Sequence, residues 1–73
     1  MKTLSSIKIG TKFLVKKYSL DNFVQHELIA LGIVPSTPLE IIQKNFSYII
    51  IKCRGAKFAL AESTARQIIG YEA

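Results

Sequence analysis

The residues able to do chemistry are few and scattered. His26 is the single histidine and Cys53 the single cysteine in 73 residues. A catalytic base needs a nucleophile and an orienting group beside it. Glu27 follows His26, but no second histidine stands four residues on, so the zinc-protease helix pattern is absent. A structural zinc site takes about four ligands, mostly Cys and His. One of each, on different elements, falls short. Ferrous iron would want several nitrogen or oxygen ligands, and the five acids form no cluster. His26 therefore reads as a surface residue, with a partner contact or a weak metal ligand as the other reading. Cys53 reads as a small buried hydrophobe, with redox sensing as the other reading. Gly10, Gly32, Gly55 and Gly70 are dispersed, so no phosphate-cradling loop exists, and each glycine is read as punctuating an element. The expectation is a chain with no catalytic residue, no metal ligand and no cofactor: not an enzyme.

What remains is surface. Ten Lys and Arg against five Asp and Glu give a formal charge of +5. That balance suits nucleic acid, anionic lipid or an acidic protein face. A net charge of about 2–8 also serves solubility alone. Period-two alternation over 48–54 places Tyr48, Ile50, Lys52 and Arg54 on one side of a strand. An aromatic and an arginine on one face suit a protein interface, and these four are the expected partner-binding residues. Alternatively, Tyr48 and Ile50 pack under the 45–47 loop and the two cations are only solvated. A small basic nucleic-acid-binding barrel is the competing function. Such a site needs exposed aromatics interleaved with cations. Only Tyr48 with Lys52 and Arg54 fits, because Phe13 and Phe58 read as inward.

These side chains need a scaffold. Seventy-three residues, 49% of them apolar, make one domain spanning 1–73. A core this small supplies only about 3–5 kcal/mol, and one cysteine cannot staple it within the chain. Residues 1–9 read as a lead-in, with Leu4, Ile7 and Ile9 tucked toward the core. A strand is expected over 12–18, with Phe13 and Val15 inward and Lys12, Leu14, Lys16 and Tyr18 outward. Lys12 and Lys16 would guard a sheet edge. Leu20, Val24, Leu28 and Leu31 form a helical stripe over 22–31, widened by Phe23 and Ile29, with Asp21 as N-cap. Gly32 is expected at C′, and Pro35 shortly after it is a stop signal. Val34-Pro35-Ser36-Thr37 reads as a type I turn, because type II wants glycine at the third position. Strands over 38–44, 48–54 and 57–61 form an antiparallel meander, with Gly55-Ala56 as a tight connection. A helical turn over 62–66 and a strand over 67–69 end the chain. The fold class is mainly β: a small five-stranded barrel with one inserted α-helix and a short helical turn near the C-terminus. Lys2 is followed by polar residues, so no signal peptide is expected. The longest apolar run, Leu28 to Val34, is far short of the roughly 20 residues of a membrane span.

Three stretches together resemble the FeoA family of ferrous iron transport proteins. They are Leu4-Ser5 to Gly10, Leu28 through Thr37, and Ile51-Lys52-Cys53-Arg54-Gly55 through Phe58-Ala59-Leu60 with Ala65 and Ile68. Ser36 stands where that family usually has glycine, and His26-Glu27 where arginine is common. The resemblance implies an SH3-like barrel and a cytoplasmic accessory to the FeoB membrane permease, which imports ferrous iron and carries a cytoplasmic G domain. Similar domains occur at the ends of metal-responsive repressors. GTPase activation would need an arginine finger; Arg54 and Arg66 are the only arginines, and both read as solvated charges.

Overall fold

The computed structural model describes residues 1–18 and 22–72. Its strands are β1 (Lys2–Thr3), β2 (Lys12–Tyr18), β3 (Pro38–Lys44), β4 (Tyr48–Cys53), β5 (Ala56–Ala61) and β6 (Ile68–Glu72). Helix α1 (Asn22–Ala30) lies between β2 and β3, and α2 (Glu62–Ala65) between β5 and β6. The strands pair antiparallel in the order β1-β6-β2-β3-β4-β5. Six strands replace the expected five. The addition is β1, which pairs Lys2 with Gly70 and Thr3 with Ile69, so the N-terminus is more than a lead-in. Among the described residues no ladder joins β1 to β5. An ion pair of 2.7 Å between Lys2 and Glu72 adds to the β1–β6 seam, and its hydrogen bond holds the Glu72 carboxyl below its ordinary range.

Alternation works as expected on the inner face. Phe13 and Val15 of β2, Leu39 and Ile41 of β3, Ile49, Ile51 and Cys53 of β4, Leu60 of β5 and Ile68 of β6 are all buried. Leu4 and Ile7, flanking a 3-10 turn (Leu4–Ser6), and Ala65 of α2 complete the core. Two β-bulges interrupt the alternation. One lies between Val15 and Lys17 and sets Tyr18 opposite the buried Ile68. The other lies between Ile41 and Gln43 and sets Lys44 opposite the buried Ile49. Each adds a residue to one strand, so everything beyond it changes face. Tyr18, expected outward, turns in, and Lys44 does the same. The Tyr18 hydroxyl donates to the Ile33 carbonyl, and burial pushes its phenol above the ordinary value. Lys44 Nζ donates to the carbonyls of Ser5 (3.2 Å) and Ile7 (2.7 Å), which ties the β3 end to the N-terminal turn. Lys12 and Lys16 do not guard an edge either, because β2 is flanked by β3 and β6.

Helix α1 docks through little surface: Leu28 is its one fully buried residue. Val24 is half-buried, while Phe23 is 72% exposed. At about 100° per residue, Phe23 lies about 140° around the helix from Leu28, which explains its exposure. Asp21 and Leu20 lie outside the described residues. The helix ends in a Schellman motif. Ile33 N–H donates to Leu28 O at 2.9 Å, and Gly32 N–H to Ile29 O at 2.9 Å. Gly32 takes φ +86°, a left-handed conformation that glycine adopts with least strain. Leu31 N–H still donates to Glu27 O, but its side chain is exposed, and Ile33 beyond the cap is buried in the core with Leu28.

The turn that follows differs from expectation. Ser36 has φ +73°, and Thr37 N–H donates to Val34 O at 3.0 Å. Positive φ at the third position marks type II, not type I. The turn is held by its surroundings. Ser36 N–H donates to Val15 O (2.7 Å), and Val15 N–H to Thr37 O (3.1 Å). Thr37 Oγ1, in a buried residue, accepts from Val34 N–H and donates to Gly32 O. Docking onto β2 thus overrides the preference of serine.

Two further expectations change. Ile9 is exposed, because Thr11 N–H bonds Lys8 O and places Ile9 in a tight turn. Gly70 does not punctuate an element. It is buried inside β6, and a Cβ there would stand 2.0 Å from the Leu14 carbonyl oxygen.

Candidate functional site

The outer face of β3, β4 and β5 carries the residues singled out for partner contact. Tyr48, Ile50 and Lys52 alternate outward along β4, between the buried Ile49, Ile51 and Cys53. Arg54 is not on the strand. β4 ends at Cys53, and Cys53 pairs with Ala56 across a two-residue turn. Arg54 and Gly55 have φ +54° and +83°, the signature of a type I′ hairpin turn. Period two cannot reveal this, since the alternation simply runs into the turn. The turn redirects the guanidinium toward α1: its Nη1 stands 4.0 Å from where a Cβ on Gly32 would be. The turn residues Gly32 and Gly55 thus lie near the same patch. Pro35 is the second residue of the Val34–Thr37 turn.

Cross-strand register divides the outer face into two ends. At one end Lys12 lies opposite Glu40, Glu40 opposite Lys52, and Lys52 opposite Lys57. This row crosses four strands at about 5 Å per step. It borders a cleft of about 240 Å³ lined by Lys12, Pro38, Glu40, Lys52, Arg54 and Gly55. At the other end Ile50 faces Ala59 and Tyr48 faces Ala61. Beside them the β3–β4 turn folds on itself: Asn45 Oδ1 accepts from the N–H groups of Ser47 (2.7 Å) and Tyr48 (2.9 Å). Phe46 at its tip is 94% exposed, so it does not cover Tyr48. Lys12 and Glu40 belong to the patch but escape sequence reading, because only the register of β2 on β3 on β4 unites them.

His26 is exposed on α1, and Cys53 is buried at the end of β4. Among the described residues no three His, Cys, Asp or Glu side chains group to hold a metal ion. No described helix is long and apolar enough to cross a membrane. Of the aromatics expected inward, Phe13 is fully buried and Phe58 half-buried against the core.

Strand order, inserted helix and hairpin register define the class: a small antiparallel β-domain of the SH3-like type. The chain belongs to the FeoA family, whose sequence model, FeoA domain, matches residues 2–71. That family is associated with ferrous iron transport. The crystal structure of an iron uptake regulatory protein (FeoA) superposes with a TM-score of 0.90 at 21% identity, covering 97% of this chain and 96% of that one. A FeoA-like protein from Clostridium acetobutylicum is 25% identical, with a TM-score of 0.85 over 97% of this chain and 85% of that one. A manganese-dependent transcriptional repressor also contains the fold. Its TM-score is 0.90 at 17% identity, over 99% of this chain and 41% of the repressor. No curated protein matches the sequence.

Proposed function

We propose that the protein is a non-enzymatic accessory of ferrous iron uptake that acts in the cytoplasm by binding the cytoplasmic part of a FeoB-type iron permease. The match of the FeoA domain over residues 2–71 carries this reading. Two structural features support it. The residues with the most reactive side chains are kept apart, His26 exposed on the helix and Cys53 buried in the core. The outer face of β4, by contrast, offers Tyr48, Ile50 and Lys52 in a row, with Arg54 beyond them. An aromatic and an arginine on one surface suit a protein interface. No iron is bound in this reading, and nucleic acid is not the partner.

The test is a pull-down of the permease's cytoplasmic region by the tagged full chain, with GDP, with a GTP analogue and without nucleotide. Retention in at least one state is expected. No association in any state, or substrate turnover by the chain alone, contradicts the proposal.

A further inference from the structure

We propose that the cleft between β2, β3 and the β4–β5 turn is an acid-recognition site. It takes an aspartate or glutamate side chain of an extended protein segment, whose neighbouring apolar residue rests on Ile50 and Tyr48. This deepens the interaction reading above and rests on it for the identity of the natural partner.

The first observation is the placement of unpaired charge. Lys2 and Arg66 are matched by Glu72 and Glu62, and Lys44 is turned to backbone carbonyls. Among the described residues the other seven cations, Lys8, Lys12, Lys16, Lys17, Lys52, Arg54 and Lys57, have no acidic partner within 4 Å, and three of them, Lys12, Lys52 and Arg54, line one cleft. The second observation is the register. Lys52 and Lys57 stand directly opposite each other, an unfavourable cross-strand pair that a bound carboxylate relieves. The third is the neighbouring surface. Along β4, Tyr48 is four residues from Lys52, roughly 13 Å at strand rise. A short extended segment therefore reaches both the cationic and the apolar end. Glu40 in the row argues for this occupant over a polyphosphate backbone. A single carboxylate bound to Lys52 and Arg54 brings one charge near Glu40, whereas a chain of phosphates laid along the row brings several past it.

The experiment is an NMR titration of the ¹⁵N-labelled full chain with a capped Asp-Asp-Asp-Leu-Leu peptide, in parallel with inorganic phosphate and single-stranded DNA. The peptide should shift Lys12, Lys52, Arg54 and Gly55. Arg54→Glu and, independently, Lys52→Glu should each weaken it by about tenfold. Glu40→Gln should strengthen binding about threefold, while Glu27→Gln on α1, with the same change of net charge, should leave it unchanged. Equal effects of the two glutamine variants would reduce the site to net charge and overturn the proposal. So would stronger binding of phosphate or DNA at the same residues, or no peptide shifts there. The same variants titrated with the permease's cytoplasmic region separate the two readings. If that region binds wild type and Arg54→Glu alike, the cleft assignment fails while the accessory role stands. If it does not bind at all while the peptide does, the cleft stands and the partner is wrong.

Discussion

Strand β4 shows two sides of one sequence. Ile49, Ile51 and Cys53 point into the core, while Tyr48, Ile50 and Lys52 share the same backbone and point out. The inner residues are constrained by volume, because each is enclosed by neighbours from several strands. The outer residues are less enclosed: Tyr48 and Lys52 are exposed and Ile50 is half-buried. Lys52 has a like charge opposite it on β5 and one carboxylate opposite it on β3. On the proposed function, stability and recognition are separable here to within one residue. Substitutions on the inner face should remove binding only by unfolding the domain. Those on the outer face should remove binding from a domain that melts as before.

The hardest test of the inner side is Gly70→Ala. Its Cβ would overlap the Leu14 carbonyl oxygen at 2.0 Å, backbone against backbone. A core worth only about 3–5 kcal/mol cannot absorb the separation of β6 from β2. This variant should be unfolded by circular dichroism at 25 °C; a cooperative melt near wild type would show that the β2–β6 contact relaxes. Ile51→Ala should cost about 2–5 kcal/mol in urea unfolding, the usual range for a fully buried aliphatic. A loss under 1 kcal/mol would mean that the inner face is loosely packed. Gly32→Val should cost about 2–3 kcal/mol, since a β-branched residue resists φ +86°. An unchanged melting temperature would refute the C′ assignment.

Smaller effects sharpen the picture at the bulge and the turn. Tyr18→Phe should cost about 0.5–1.5 kcal/mol at neutral pH, for the hydrogen bond to the Ile33 carbonyl. Its pH dependence has a definite sign. Burial raises the Tyr18 phenol in the folded state, so its contribution is intact below the unfolded value of about 10 and is lost as pH rises through the folded one. Tyr18→Phe should therefore narrow its deficit to wild type above about pH 10, as read in urea melts at stepped pH. A gap that widens with pH would contradict the assignment. Ser36→Gly should stabilise by about 0.5–1 kcal/mol, by relieving a non-glycine residue at φ +73°. Destabilisation would mean that the serine side chain contributes more than its strain costs.

Much of this division is legible in the sequence. Period two identifies the buried residues of β2 to β5 up to each bulge, and Gly32 with Pro35 marks the helix end. The bulges are hidden because an inserted residue leaves no trace in hydropathy. Tyr18 is therefore assigned outward until the register is known. β1 is hidden because two residues carry no period. Gly70 shows that a glycine required for close approach looks, in sequence, like one required for a turn. In the candidate site, Lys52 can be placed on the outer face from local pattern alone, whereas Arg54 cannot, because the alternation runs on into the turn. Lys12 and Glu40 cannot, because their place depends on pairings between strands distant in the chain.

The most direct measurement is chemical-shift mapping of the ¹⁵N-labelled chain on titration with the permease's cytoplasmic G domain. Recognition by the outer face predicts that perturbations concentrate at Lys12, Ile50, Lys52, Arg54 and Gly55, while the amides of α1 around Phe23 and His26 stay in place. Perturbations centred on α1 instead, with the β4 turn unmoved, would contradict it.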